Sequence, residues 1–301
     1  VGVPESMFVP EGVEFYGQLS VVKAGAVASD RIVALGDAPR AALVAEGASH
    51  RLDGVFRARG SDLVSIGSGI DQAHYNPATD PLLVARFDAE DTTGKTRNRS
   101  TVLTELELES DPTLPVMVVV GSVQERYRTT LLAALGRALR GELVVVVALA
   151  RAKADSGHPG DHEFDEGLDR LSALHPRRIR VLHGASELQL HRVLAAADFS
   201  LLAVEDAVGT PARAALRYGT IPVAVRTPAY EEAIVDADPT LSTGTGLLAS
   251  TVDELVGTVQ RAVSAHRHGS WSKLVRRAMR VEGGWERAAR RLEAILVQLE
   301  G

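Results

Sequence analysis

Cysteine is absent from the 301 residues of the chain. Its absence excludes disulfide bonds, thiolate nucleophiles and Cys-ligated metal sites, and it suits a reducing compartment, so we expect a cytoplasmic protein. Aromatic residues are scarce, at 4% of the chain, although 45% of the residues are hydrophobic. The core must therefore be built from Ala, Val and Leu, a composition that favours layered α/β domains.

Long hydrophobic runs and concentrated positive charge are also lacking. The longest apolar runs, Val116–Val120 and residues 143–150, are far shorter than the ~20 residues of a membrane-spanning helix. The formal net charge is −6, and Lys and Arg are spread through the chain instead of forming one basic block. We therefore expect no membrane association and no nucleic-acid partner.

Predicted strands and helices alternate along the chain. Apolar residues three and four apart predict a helix over residues 12–29, and a Gly-, Asn- and Pro-rich stretch at 67–81 predicts a linker, with a domain boundary near Asp80. Short continuous apolar runs predict strands, which alternate with amphipathic helices, at 31–35, 115–121, 143–150, 179–182 and 199–203. This order indicates an α/β fold with a doubly wound, Rossmann-like C-terminal domain, in which ligands bind at the carboxyl ends of the strands.

Several motifs resemble those of bacterial glycogen synthases and plant starch synthases. Residues 69–71 (Gly-Ile-Asp) and 76–81 (Asn-Pro-Ala-Thr-Asp-Pro) resemble the interdomain signature of that family. The segment at 215–223, Ala-Leu-Arg-Tyr-Gly-Thr-Ile-Pro-Val, resembles the helix-to-strand segment below its sugar site, and residues 271–296 resemble its closing helices. The resemblance covers essentially the whole chain. Because the chain opens on Val1 and not on Met, we interpret it as an N-terminally incomplete, divergent member.

The resemblance implies the GT-B architecture of two Rossmann-like domains facing a cleft. Residues 1–80 would form the last part of the acceptor-side domain with the interdomain linker, and residues 81–270 the nucleotide-sugar-binding domain. Residues 271–301 would be helices that cross back toward the first domain. Family members transfer glucose from ADP-glucose to an α-1,4-glucan with retention of configuration, and they require neither a metal nor another cofactor. A protein partner or a homo-oligomer stays open.

The cations that the family places beside the donor diphosphate are replaced. Alignment with the family's first C-domain strand puts Ser122 at the position of its Arg and Tyr127 at the position of its Lys. Arg126 and Arg128 flank the second position, but neighbouring side chains on a helix point about 100° apart. The departing diphosphate needs positive charge, so these replacements put catalysis in doubt.

Other donor-site positions depart from the family's pattern as well. Residues 206–210 align with the family's acidic loop, so Asp206 stands for its catalytic Glu, while Gly209 and Thr210 would lie against the sugar or phosphate. A solvated loop carboxylate or a helix N-cap is the more ordinary role for Asp206, and the neighbouring Glu205 is the other candidate, although its register is wrong. Thr227 keeps the family's Arg-Thr pair, but Pro and Ala at 228–229 replace its two glycines. Ala185 replaces the aromatic residue that stacks on adenine.

Two further groups of polar residues admit more than one reading. His158, Asp161, His162 and Glu163 form a run that could be taken for metal ligands, but the neighbouring Gly and Pro residues predict a surface loop, and we expect no metal there. His183 and His191 are interpreted as ordinary polar positions near the cleft, with contact to a ligand as the alternative. Two functions stay open: a hexosyltransferase with a reworked donor site, and a non-catalytic relative that binds a glucan, a nucleotide or a protein.

Overall fold

The computed structural model describes residues 4–47, 49–140, 143–150, 159–203 and 208–300. The chain divides into two compact units, one of Val1–Gly69 with Trp285–Gly301 and the other of Ile70–Gly284. Each unit has its own hydrophobic core.

The first unit begins with a small hairpin, which is followed by helices and a two-stranded parallel sheet. In chain order its elements are β1 (Glu14–Phe15), β2 (Gln18–Leu19), α1 (Val21–Ala28), β3 (Ile32–Ala34), α2 (Asp37–Val44), α3 (Asp53–Ala58) and β4 (Leu63–Ser65). Strand β3 pairs with β4 so that Ile32 lies opposite Leu63. Phe56 on α3 packs with Leu63 and Ala26 in the core of the unit.

The helix predicted over residues 12–29 is wrong in its first half. Tyr16 and Gly17 adopt left-handed φ values of 51° and 75°, and the Gly17 N–H donates to the Glu14 carboxylate at 2.6 Å. Such a pair forms a tight hairpin turn, which a helix cannot contain. Helix α1 begins only at Val21, where the Ser20 hydroxyl accepts a hydrogen bond from the Lys23 N–H.

The second unit alternates strands with helices throughout. In chain order its elements are α4 (Thr93–Glu105), β5 (Val116–Val120), α5 (Glu125–Leu139), β6 (Val144–Leu149), α6 (Pro159–Leu174), β7 (Ile179–His183), α7 (Glu187–Ala196), β8 (Phe199–Leu202), α8 (Thr210–Arg217), β9 (Ile221–Val225), α9 (Pro228–Ala233), β10 (Leu247–Ala249), α10 (Leu255–His266) and α11 (Trp271–Met279). The last helix of the chain, α12 (Glu286–Glu300), belongs to the first unit.

The sheet of the second unit has the strand order β10-β9-β8-β5-β6-β7, and all its pairs are parallel. The chain winds outward from β5 through β6 to β7 and then returns to lay β8 on the other side of β5. This is the doubly wound Rossmann order, with the point of reversal between β5 and β8. The predicted fold class is therefore confirmed. Ligands of such sheets bind where the loops after these two strands diverge.

Two helices of this unit begin earlier than predicted. Apolar periodicity predicts these helices over residues 129–140 and 163–173, whereas α5 begins at Glu125 and α6 at Pro159. Residues 159–163 therefore form a helical turn and not the predicted surface loop. The first turns of both helices are polar, and apolar periodicity gives no signal in a polar turn. Among the described residues, no helix is long and apolar enough to cross a membrane.

Candidate donor site at the carboxyl edge of the sheet

The loop after β5 is fixed by backbone hydrogen bonds on both sides. Gly121, with φ of 98°, donates from its N–H to the Ala148 carbonyl of β6 at 3.0 Å. The Gln124 N–H donates to the Ala203 carbonyl at 3.1 Å, which ties the loop to the end of β8. Ser122 stands between these anchors with its side chain exposed. The predicted donor-site residue Ser122 therefore lies at the reversal point of the sheet.

Arg128 is turned away from this loop. Its guanidinium forms an ion pair with the Asp161 carboxylate of α6, lies 5.9 Å from the centroid of the Phe164 ring, and is part of a side chain that is 17% exposed. Its Nε also approaches the Val123 carbonyl at 3.4 Å. This cation therefore holds α5 against α6.

Arg126 is the exposed cation of the same helical turn. Its guanidinium lies 4.9 Å from the ring centroid of Tyr127, while Tyr127 itself is 3% exposed and packs in the core of the unit. Tyr127 thus points into the protein interior. Of the two arginines named from the sequence, Arg126 is the one whose charge faces solvent near the end of β5.

Gly209 lies at the start of α8 in a left-handed conformation, with φ of 76° and ψ of 20°. A Cβ at this position would lie 3.0 Å from the Ala229 carbonyl oxygen and 3.1 Å from the Ala233 Cβ. A side chain is therefore opposed by both the backbone conformation and the packing against α9. Thr210 follows as the first residue of α8 and is partly buried. Asp206 and Glu205 lie outside the described residues, so both roles considered for Asp206 stay predictions.

Thr227 caps α9. Its hydroxyl accepts a hydrogen bond from the Tyr230 N–H at 3.2 Å, and Pro228 occupies the first helical position, where a missing N–H is tolerated. The preceding Arg226 pairs with Glu231 at 2.8 Å and approaches Asp236 at 3.8 Å. The side chains of this loop are thus engaged with one another.

His183 is the last residue of β7, and Ala185 lies two residues after the strand. The Ala185 N–H donates to the Leu149 carbonyl at 2.9 Å, and its methyl group packs against the core. It brings no ring for a base to stack on. The Nδ1 atom of His183 is buried and has no hydrogen-bond partner within the part of the chain that the structure describes.

Comparison with known proteins identifies this arrangement. The sequence is 32% identical over 299 residues to the glycogen synthase of Burkholderia thailandensis. This alignment covers 96% of this chain and 55% of that protein. It is 33% identical to the glycogen synthase of Anaeromyxobacter dehalogenans, over 98% of this chain and 61% of that protein. The catalytic domain of Starch Synthase IV from Arabidopsis thaliana, bound to ADP and acarbose, matches the structure with a TM-score of 0.84 at 22% identity, covering 98% of this chain and 61% of that one. No family model matches the sequence.

The chain is a homologue of the glycogen synthases. Its α/β fold is the GT-B fold of these glycosyltransferases, so the resemblance seen in the sequence is confirmed. The chain spans between about half and two thirds of the length of the two relatives, at 55% and 61%.

Within this synthase-like fold, one buried polar cluster joins residues that lie far apart in the sequence and were not predicted to meet. The Asp80 carboxylate accepts hydrogen bonds from the Tyr218 hydroxyl and from Nδ1 of His191, the latter at 2.8 Å. The Nε2 atom of His191 lies 3.3 Å from Nε2 of His74. Asp80, His191 and Tyr218 are at most 2% exposed. His191 was interpreted as an ordinary polar position, and the structure adds that its ring is buried and joins the 70–81 segment to α7 and to the end of α8.

The protonation of this cluster follows from its contacts. Burial disfavours the charged form of Asp80, but the hydrogen bonds from Tyr218 and His191 outweigh it and hold the pKa of this carboxyl below its ordinary value. Burial, followed by the hydrogen bond to Asp80, raises the pKa of Tyr218 far above its ordinary value. The cluster therefore contains a neutral tyrosine that donates to an ionised aspartate.

Proposed function

We propose that this chain contributes the donor side of a glycogen synthase-like protein that binds a nucleotide diphosphate sugar, with ADP-glucose as the foremost candidate. The bound ADP and acarbose of the starch synthase match support this nucleotide and an α-glucan acceptor. The reversal of the sheet between β5 and β8 supports a ligand site beside residues 121–124 and Gly209, because α/β sheets of this kind bind ligands at such a reversal. The proposed division is an acceptor-side segment at residues 1–80, a donor-binding domain at 81–270 and closing helices at 271–301.

We further propose that hexose transfer by this protein is strongly impaired. In the transfer, the bond between the sugar C1 and the diphosphate oxygen breaks, C1 bonds to an acceptor hydroxyl oxygen, and the hydroxyl proton leaves with the diphosphate. Negative charge builds on that diphosphate and needs cations nearby. Arg128 is paired with Asp161, and Arg226 is paired with Glu231. The Arg128–Asp161 ion pair is the observation that carries this proposal.

A non-catalytic role is the second candidate, and the start of α9 favours it. The N–H groups of a helix start bind anions well, but Pro228 has no N–H to donate and Thr227 already uses its hydroxyl as the cap. In this role the protein binds a nucleotide or a glucan without transfer.

The two candidates are separated by measuring binding and transfer on the full-length natural protein. We expect calorimetry to show ADP binding, and radiolabelled ADP-glucose to label glycogen about 100-fold or more slowly than with a related glycogen synthase assayed in parallel. Equal rates contradict the impairment. Measurable binding without any incorporation establishes the non-catalytic role. Absence of incorporation, together with absence of binding to ADP and to maltooligosaccharides in calorimetry, overturns both. UDP-glucose in a parallel assay tests the donor.

A gain-of-charge variant sharpens the test. Ser122→Arg places a guanidinium on the exposed loop after β5, and we expect it to tighten ADP binding about tenfold or more, with a stronger dependence on salt. Ser272→Arg serves as the matched control because it adds the same charge on α11. Ser272 and Asp198 line one cavity, which lies beyond the opposite edge of the sheet. Equal effects of the two variants contradict the placement of the diphosphate beside Ser122.

A further inference from the structure

Three potential metal ligands converge outside the donor site, between the 70–81 segment and α7. Nε2 of His74 lies 3.3 Å from Nε2 of His191 and 3.2 Å from Oε1 of Glu187. The ligand atoms of all three residues lie within 4.8 Å of one another. We propose that His74, Glu187 and His191 form a binding site for a divalent transition metal, with zinc as the best-fitting ion.

Two of the three spacings between the ligand atoms match a tetrahedral site. With metal–ligand bonds of about 2.0–2.1 Å, the ligand atoms of a tetrahedral zinc site are about 3.3–3.4 Å apart. The two distances from His74 fall close to this value. Two imidazoles and one carboxylate are also the ligand set that zinc uses when it keeps one position open for water.

Each of the three ligands is held by its own local structure. Glu187 and His191 are four residues apart on α7 and so lie on one face of the helix. The start of α7 is fixed by a capping box, in which Ser186 and Gln189 hydrogen-bond each other's backbone. His74 follows a turn in which the Asp71 carboxylate accepts the N–H groups of Ala73 and His74 at 2.8 and 3.2 Å. The site is therefore largely assembled before any ion binds.

The ring of His191 is oriented for metal binding by a buried carboxylate. Its Nδ1 hydrogen-bonds the Asp80 carboxylate, and the two side chains are 3% and 1% exposed. With the proton on Nδ1, Nε2 carries the free lone pair and points toward His74. This carboxylate–histidine pair is the arrangement that fixes the tautomer of metal-binding histidines. The Tyr75 ring stacks on His191 at 5.2 Å between centroids and limits its rotation.

A bound cation would also satisfy acceptor atoms that have too few N–H donors among them. When Nδ1 of His191 donates to Asp80, its Nε2 can only accept. A neutral His74 then has one Nε2–H to share between His191 and Glu187. A divalent ion in that position bonds to all three atoms at once and neutralises Glu187. The His74 and Glu187 side chains are 41% and 64% exposed, which leaves the ion an entry path from solvent.

The site can be tested on the full chain after treatment with a chelator. Calorimetry with zinc chloride is expected to show one equivalent bound with a micromolar or lower dissociation constant, and cobalt chloride to give the visible absorption of a tetrahedral complex. His74→Ala and Glu187→Gln are each expected to weaken zinc binding at least tenfold. Asp80→Asn, which removes the orienting carboxylate, is expected to weaken it about 10- to 100-fold.

His162 provides the matched control. It is an exposed histidine that approaches Glu166 four residues later on α6 at 3.5 Å, so it presents a similar His–Glu pair without a second histidine. His162→Ala should leave zinc binding unchanged. The proposal is overturned if the wild-type chain binds no zinc, if His74→Ala binds as tightly as wild type, or if His162→Ala abolishes binding. His74 and Glu187 are both exposed, so either variant carries the test if the other misfolds.

Discussion

The guanidinium of Arg128 and the carboxylate of Asp161 form an ion pair between α5 and α6, with side chains that are 17% and 13% exposed. The pair gives Arg128 a structural role, which is to join the two helices. Arg126, two residues earlier on α5, is exposed and has no carboxylate partner within the described part of the chain. The two arginines are therefore expected to respond differently to mutation.

Replacing Arg128 should affect folding more than binding. Arg128→Met leaves Asp161 as an unpaired, largely buried carboxylate, and we expect the free energy of unfolding to fall by about 2–4 kcal/mol. Arg126→Met should change stability by less than about 0.5 kcal/mol, as is usual for exposed positions. Urea denaturation followed by fluorescence measures both.

The same pair of variants locates the cation that faces the nucleotide. We expect Arg126→Met to weaken ADP binding several-fold and to reduce its salt dependence, since a solvent-facing charge attracts the diphosphate. Folded Arg128→Met should bind ADP as tightly as wild type. If Arg128→Met weakens ADP binding and Arg126→Met does not, the assignment of roles is reversed.

Gly209 should tolerate no side chain. In Gly209→Ala the new Cβ meets the Ala229 carbonyl and the Ala233 methyl group at about 3 Å, in a left-handed backbone conformation that alanine disfavours. We expect a loss of stability of about 1–3 kcal/mol. Gly257→Ala, on α10, is the matched control because its added Cβ contacts nothing and helix propensity predicts a gain of up to about 1 kcal/mol. Thermal unfolding that ranks Gly209→Ala at or above wild type contradicts this reading of the loop.

The parallel sheet could be predicted from the sequence because its strands are buried on both faces. Strands β5 and β6 are therefore continuous apolar runs rich in Val, and their alternation with helices indicates a doubly wound sheet. The β1–β2 hairpin could not be predicted in this way. Its turn relies on a left-handed Tyr16, a residue type that gives no turn signal, and its apolar residues happen to fall at helical spacing.

The candidate sites were predictable only in part. Gly209 and Ser122 could be placed because they belong to contiguous segments of a known pattern. The cluster around Asp80 could not, since His191 and Tyr218 lie 111 and 138 residues from Asp80 in sequence and only the fold brings them together. The ion pair of Arg128 could not be predicted either, because its partner Asp161 lies in a helical turn without apolar periodicity.

Lys95 should be a structural lysine. Its Nζ lies 2.9 Å from the Tyr218 carbonyl, 3.0 Å from the Thr220 hydroxyl and 3.3 Å from the Ala195 carbonyl, so it joins α4 to the ends of α7 and α8. Lys95→Met removes the donor from these acceptors, and we expect a loss of about 1–3 kcal/mol in the free energy of unfolding. Lys273→Met, at an exposed position on α11, should have little effect. Equal unfolding midpoints for the two variants contradict the role.

Asp198 should make the stability of the second unit depend on acidic pH. Burial acts against its ionisation, but the hydrogen bond from His266 and the charge of Arg99 outweigh burial and hold the pKa of Asp198 below its ordinary value of 3.8. The unfolded chain therefore binds a proton at a higher pH than the folded chain does. The stabilisation is fully present above the ordinary pKa and is lost as the pH falls from there through the lowered folded pKa.

Asp198→Asn tests this dependence directly. We expect the variant to be less stable than wild type by about 3 kcal/mol at pH 7, because Arg99 loses its largely buried partner. The difference should stay constant down to about pH 5 and shrink below pH 4, as wild type loses the stabilisation that the variant never had. Urea midpoints measured between pH 7 and pH 3, followed by the fluorescence of Trp271 beside His266, record the two curves. The exposed Asp253→Asn serves as the control and should follow wild type, whereas a difference that grows on acidification contradicts the assignment of the charged form to the folded state.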